Sequence, residues 1–436
     1  MSKRSEKRPR VTSRTRRRGA STMTGTESVS TKRSAGELAV LGANPLFQET
    51  RMVGRPNLPC FDDFTDLVRE IFESRWLSNR GPMLQRFEEQ VARLSGVKHC
   101  IAVANATLGL QLIARSLDIV DEVILPSFTF IATAHAFRWQ NASPVFADVL
   151  PDTHQIDPDA VQSLINERTQ AIVGVHLWGE TCDVTRLESI ARRHSLPLIF
   201  DAAHAFGCSH RSQPVGCHGL AEVFSFHATK FINTFEGGAI CTNDDSLAQK
   251  LRAMVNFGFG ASDTAVCLGM NAKMSEVSAA MGLANLAMMD QLIAHNRRIH
   301  DTYHSVLSGH PQIRMYPFDL TEKRNLQYLV CELVDNEHIL TRDELLRGLA
   351  AENIVGRRYF SPGLHRHQPY LDESHSLQSL PVTSDLSQRV FLLPTGSAVS
   401  AEEAGAIAEV VRLILDNADV VRERLHICDN ETVPLH

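Results

Sequence analysis

The sequence predicts an α/β protein in which a large unit, built on a mostly parallel sheet with helices on both faces, is followed by a smaller α+β unit. Two observations carry this. Between about residues 97 and 290, seven short β-rich runs alternate with helical patterns, and most of the runs are continuously apolar rather than alternating. That is the texture of strands buried on both faces by crossover helices. Beyond about residue 290 the alternation gives way to one strand and two strongly capped helices. With 436 residues, 43% of them hydrophobic, the chain is long enough to bury two cores. The expected division is a disordered basic extension over 1–40, the large unit over 41–290 and the small unit over 291–436.

The seven runs are Cys100 to Ala104, Glu122 to Leu125, Pro144 to Ala147, Ala171 to His176, Leu196 to Phe200, Glu222 to Phe226 and Gly238 to Thr242. A helical stretch follows from Ser275 to Ser308, then a strand from Tyr328 to Leu333. Thr341-x-x-Glu344 and Ser400-x-x-Glu403 are capping boxes, each opening a helix by satisfying two orphan N–H groups reciprocally.

The net charge of −6 hides an asymmetry. The first 33 residues hold eleven Lys or Arg against Glu6 and Glu27, a local charge of +9 that leaves −15 on the rest. Such a segment, rich in Ser and Thr, buries too little apolar surface to offset its ordering entropy. It could contact nucleic acid or an anionic membrane. The simpler reading, and the one adopted, is a plain extension with translation starting at Met23, so a nucleic-acid partner is not expected. Arg16-Arg17-Arg18 leads into Gly-Ala-Ser-Thr, not an apolar stretch, so neither a secretory nor a twin-arginine signal is predicted. No apolar run reaches membrane-spanning length. The nine cysteines are scattered without a C-x-x-C pair, which points to reduced thiols in the cytoplasm, with no disulfide frame or zinc site. His365 and His367 lack a third ligand at helical spacing and are assigned to a pocket loop or the surface, so no metal is expected.

Lys230 is the most informative residue. It closes Phe224-Ser225-Phe226-His227-Ala228-Thr229-Lys230, with Glu236-Gly237-Gly238 just beyond, and Asp201 stands 29 residues upstream after an apolar run. Asp201 would therefore lie at the carboxyl edge of a strand, where open α/β sheets bind ligands. One lysine, one strand-end carboxylate and the nearby Ser225 hydroxyl are the parts needed to hold pyridoxal 5'-phosphate as a Schiff base. The carboxylate keeps the pyridine nitrogen protonated, and burial lowers the lysine pKa toward nucleophile and base. Taken singly, Asp201 could be an N-cap and Lys230 a surface residue; their combination favours the cofactor. Ala106 and Thr107 begin a helix after a strand and offer free N–H groups and a positive dipole end to a phosphate. Phe130 is assigned to cover one face of the ring, with Phe128 as competitor. His204 is assigned as a hydrogen-bond donor to the cofactor's phenolic oxygen.

In this order the residues resemble the DegT/StrS family of nucleotide-sugar aminotransferases over about residues 56 to 415. The matching motifs are Trp76 to Pro82 with Phe87-Glu88-Glu89, Pro126 to Thr133, Val175 to Gly179, Asp201 to His204, Ser225 to Lys230 with Glu236 to Gly238, and Gly269 to Glu276. The resemblance implies the type I, aspartate-aminotransferase-like fold with a seven-stranded sheet. It implies cofactor-binding roles for Ala106, Thr107, Phe130, Asp201, His204, Ser225 and Lys230. It further implies a homodimer in which the segment Asn271 to Lys273 reaches the partner's cofactor phosphate. His227-Ala228-Thr229 and the run Arg357 to Gly363 resemble members acting on dTDP-linked 6-deoxy-ketohexoses, which more often place nitrogen at C4 than at C3. Ala106 where Gly is frequent, and Asn256-Phe257-Gly258 in place of Asn-His-Gly, are departures.

The expected activity is transfer of an amino group from glutamate to a nucleotide-linked keto-deoxysugar. The rivals are amination at C3, a ketocyclitol substrate, or a regulatory protein that keeps the fold without catalysis.

Overall fold

The computed structural model describes residues 31–260, 264–334, 340–371 and 379–431, with side chains described as far as residue 427. Residues 1–30, most of the expected disordered extension, lie outside the described residues. That expectation gives way at Ala35, where two short 3-10 turns, Ala35–Glu37 and Ala39–Leu41, begin and Leu38 is fully buried.

Seven strands form one sheet: β1 His99–Val103, β2 Glu122–Pro126, β3 Ser143–Ala147, β4 Thr169–Val175, β5 Leu198–Asp201, β6 Ala221–Ser225 and β7 Gly238–Thr242. Their order is β1-β7-β6-β5-β4-β2-β3. All neighbours run parallel except β7, which is antiparallel to both β6 and β1. A mostly parallel seven-stranded sheet with one antiparallel strand is the large-unit architecture expected of the type I fold. The strands are continuously apolar because both faces are covered. On one face lie α3 Ala106–Ser116, α4 Ile131–Arg138 and α7 Asp245–Met254, sharing a core with Val103, Val123, Val173 and Val223. On the other, α1 Phe61–Ser74, α2 Pro82–Ser95 and α8 Glu276–Ala287 pack on Cys100, Phe224, Phe226 and Ala239, and α5 Pro158–Leu164 and α6 Val184–His194 pack on Ile124, Ile172 and Phe200. Helix starts are fixed locally, as at α7, where Asp244 accepts from the Leu247 N–H at 2.7 Å.

The helical stretch from Ser275 breaks at Met288, and α9 Met289–Leu307 leaves α8 at 60°. An antiparallel three-stranded sheet follows: β8 Ile313–Met315, β9 Leu329–Leu333 and β10 Val390–Leu393, in the order β8-β9-β10. Helices α10 Arg342–Ala351, α11 Pro381–Arg389, α12 Ala401–Asp416 and α13 Ala418–Glu431 complete this part. Both expected capping boxes, Thr341 with Glu344 and Ser400 with Glu403, are formed. The core here also takes Leu38 and Phe47 from far upstream. No single helix among the described residues is long and apolar enough to cross a membrane.

Candidate active site

Beyond the carboxyl ends of the parallel strands the chain encloses a cavity of about 690 Å³. This is where a crossover topology leaves strand ends and helix starts facing one space. Asp201 ends β5, Ser225 ends β6, and Ala106 and Thr107 open α3 after β1; all four line the cavity.

Lys230 enters it from a tight turn after β6, in which its N–H donates to the His227 carbonyl at 2.9 Å and the Thr234 N–H to that of Phe226 at 2.8 Å. Burial pushes the Lys230 amine down to about 8, with the Asp201 carboxylate working against that shift. Its Nζ donates to the Tyr328 hydroxyl at 3.4 Å. Asp201 is 7% exposed, and burial raises its pKa. Opposing that are the Thr133 hydroxyl, donating to Oδ2 at 2.8 Å, the Ala203 N–H, donating to Oδ1 at 3.0 Å, and the charge of Lys230. A cationic ring nitrogen set against this carboxylate would favour its charged form further.

At the start of α3 the Asn105 side chain accepts from the Leu108 N–H at 2.9 Å, leaving the N–H groups of Ala106 and Thr107 for a ligand. The helix start lies so close to β7 that a Cβ on Gly238 would stand 2.6 Å from the Ala106 nitrogen. That contact explains the second glycine after Glu236, since only hydrogen fits between cradle and strand. His204 is held neutral by burial. The Trp178 N–H donates to its Nδ1 at 3.3 Å, so the ring proton sits on Nε2, leaving a donor for a phenolic oxygen.

Phe130, at the N-cap of α4, is 53% exposed and lines the cavity. Phe128, its competitor, is buried at 1% against His154, Trp178 and Phe360. Asn271 is exposed and does not line its own chain's cavity; its backbone bridges Asn256. Next to it Lys273 donates to the Asn256 side chain at 2.9 Å and lies over the Phe257 ring at 4.5 Å, where histidine was the expected residue type. His365 is buried, its Nδ1 2.7 Å from the Ser127 hydroxyl.

Sequence reasoning missed several cavity residues. Tyr328, whose hydroxyl receives the Lys230 Nζ, leads into β9, and the lining residues Arg357, Tyr359 and Phe360 come from the loop after α10, so the small sheet's part of the chain helps wall the cavity. The run from Arg357 was read only as a mark of sugar class. Thr133 falls inside a quoted motif, yet its bond to Asp201 joins two crossover units and leaves no trace in local spacing. The donor set as a whole fits pyridoxal phosphate: a lysine amine with lowered pKa, a carboxylate for a ring nitrogen, a neutral imidazole donor and a helix-start cradle for a phosphate.

Residues 61–412 match the model of the DegT/DnrJ/EryC1/StrS aminotransferase family. The dTDP-4-amino-4,6-dideoxy-D-glucose transaminase of Escherichia coli is 32% identical over 370 residues, covering 84% of this chain and 98% of that one. GDP-perosamine synthase of Caulobacter vibrioides is 36% identical over 309 residues, covering 70% and 83%. Among solved structures, DesI with its TDP-sugar product superposes with a TM-score of 0.84 at 43% identity, covering 91% of this chain and all of that one.

Proposed function

The chain belongs to the DegT/DnrJ/EryC1/StrS aminotransferase family, and we propose that it moves an amino group from glutamate to the C4 carbonyl of a dTDP-linked 4-keto-6-deoxyhexose. It is a nucleotide keto-sugar aminotransferase and works with pyridoxal 5'-phosphate. The observation that carries the residue assignments is that Lys230, its pKa lowered by burial, and Asp201 line one cavity with the helix-start cradle.

Bound there, the cofactor supplies an aldehyde for a lysine amine and a ring that takes up an electron pair when a C–H proton leaves. Lys230 would anchor the cofactor through its amine and, once freed by the incoming substrate amine, would hold and move the proton that leaves the reacting carbon. Asp201 holds the ring nitrogen charged, and Thr133 and the Ala203 N–H keep its carboxylate in register. Ala106, Thr107 and Ser225 receive the phosphate, His204 donates from Nε2, and Phe130 covers one ring face. The cofactor is held by the unit over 41–290 and closed in by that over 291–436.

The working unit is a homodimer in which Asn271 of one protomer completes the partner's phosphate site. Supporting this are the exposed apolar side chains of Trp76, Leu77, Phe257, Val266 and Leu268 on the segments beside Asn271, more than a monomer ordinarily leaves uncovered. The eight cysteines with described side chains are all free, which supports a reducing, cytoplasmic setting.

The test is spectroscopic and preparative. Purified protein should show the long-wavelength band of lysine-bound cofactor and lose it on adding glutamate. Lys230→Ala should lack both band and turnover, and an active Lys230→Ala protein would sink the assignment. Labelled glutamate offered with 4-keto sugars, 3-keto sugars and ketocyclitols should mark the 4-keto sugars; labelling of either other class would redirect the substrate reading.

A further inference from the structure

We propose that Arg357 binds the carboxylate on the reacting carbon of the amino donor, which deepens the transaminase reading and rests on it. The cavity has few cations to offer an anion. Lys230 is committed to covalent chemistry. His204 is neutral and pinned by the Trp178 N–H. His227 is engaged by Thr229 at 2.9 Å and lies 3.5 Å from Glu236. Arg357 remains, half-buried, its Nη1 donating at 3.0 Å to the Tyr359 hydroxyl and no carboxylate pairing with it among the described residues. The next residue, Arg358, points to the surface and is neutralised by Asp343 at 3.0 Å. A guanidinium left unpaired in a walled cavity invites an oxyanion, and its planar fork matches a carboxylate bidentately.

The placement is rigid. The Arg357 N–H donates to the Leu392 carbonyl at 3.1 Å and the Leu392 N–H to that of Arg357 at 2.7 Å, fastening the loop to β10. Phe360, three residues on, contacts Phe130 at 6.5 Å, Trp178 at 5.4 Å and His204 at 6.3 Å. The loop therefore sits against the residues assigned to the cofactor ring, at the reacting end of the cavity. Both substrates are anionic, and connectivity separates them. The donor's carboxylate is bonded to the carbon that loses its proton to Lys230, so it must lie at that end. The diphosphate hangs from C1 of the hexose, across the sugar ring from a C4 carbonyl.

The experiment uses the full-length, cofactor-loaded protein and its Arg357→Gln and Arg357→Lys variants, each shown by its long-wavelength band to be folded and loaded. The two half-reactions are followed separately, as loss of the band on adding glutamate and its return when the aminated enzyme meets a keto sugar. Binding of glutarate, a dicarboxylate that cannot react, is read by fluorescence titration as a measure independent of turnover. Arg357→Gln should weaken the concentration dependence on glutamate by roughly ten- to a hundredfold, with Arg357→Lys intermediate. Glutarate binding should weaken in parallel, and the keto-sugar half should stay within about twofold. An unaltered glutamate half, or a defect confined to the keto-sugar half, would overturn the proposal in favour of no anion role or a diphosphate role. Wild-type protein whose band glutamate leaves intact would overturn the donor reading itself, a result distinguishable because no variant is needed to see it.

Discussion

At the scale of single residues, Lys230 must be an unprotonated nucleophile when it captures the cofactor and a proton carrier afterwards. Burial serves both ends by bringing its pKa down to about 8. Below that value the amine holds its proton and has no lone pair to attack with. The rate at which cofactor-free protein takes up pyridoxal phosphate should therefore climb with pH through about 8 and level off above it, measured as growth of the long-wavelength band. Asp201 stands in the opposite relation, an acid whose burial disfavours its charge until a cation arrives. Asp201→Asn should bind the cofactor yet lower kcat by about 100-fold or more, because the amide cannot hold the ring nitrogen protonated. Thr133→Val removes one hydrogen bond to that carboxylate and should cost only about 1 kcal/mol in the same assay.

At the scale of elements, the cradle depends on two chain segments meeting without side chains between them. Gly238→Ala would set a methyl 2.6 Å from the Ala106 nitrogen, 2.8 Å from the Asn105 carbonyl carbon and 2.9 Å from the Phe224 oxygen. All three are backbone atoms with no rotamer to escape into. The substitution should cost about 1–3 kcal/mol of stability, read as a lower Tm. Because the strain falls on the phosphate cradle, cofactor affinity should drop with it. This is also where the sequence was most and least legible. Strands β1 to β7 could be read because burial on both faces demands unbroken apolar runs, and the observed ends lie within two residues of the expected ones. Asp201, Ser225, Lys230, Ala106, Thr107, Phe130 and His204 were nameable because each ends a strand or follows one at a recognisable turn, and the fold gathers them in one cavity. Tyr328, Arg357 and Phe360 were not, because they arrive from the other sheet, and no local periodicity says which loop will face which cavity. The bend at Met288 was equally hidden inside a continuous helical pattern.

At the scale of the whole molecule, the proposed sharing of the site between protomers makes a distinctive prediction. Lys230→Ala and Asn271→Ala proteins should each be impaired alone. In a hybrid dimer one site collects both substitutions and the other neither, so mixing the two under exchange conditions should restore activity in an assay of the mixture. A site complete within one chain would show no such recovery.

Glu352 fastens the segment around Leu38 to the end of α10. Its buried carboxylate accepts from the N–H groups of Ala39 and Leu46, both at 2.7 Å, and meets the Lys32 ammonium at 2.6 Å, binding together positions 313 apart in the case of Ala39. Synthesis runs in one direction, so Leu38 and Phe47 emerge early and must wait, uncovered, until residue 352 leaves the ribosome. The large sheet, closed by residue 242, can assemble during that interval. Nascent chains stalled short of position 352 should be clipped by protease near Leu38, while chains stalled well beyond the last helix should resist, making the late arrival of one acid the signal that the stretch around Leu38 is safe.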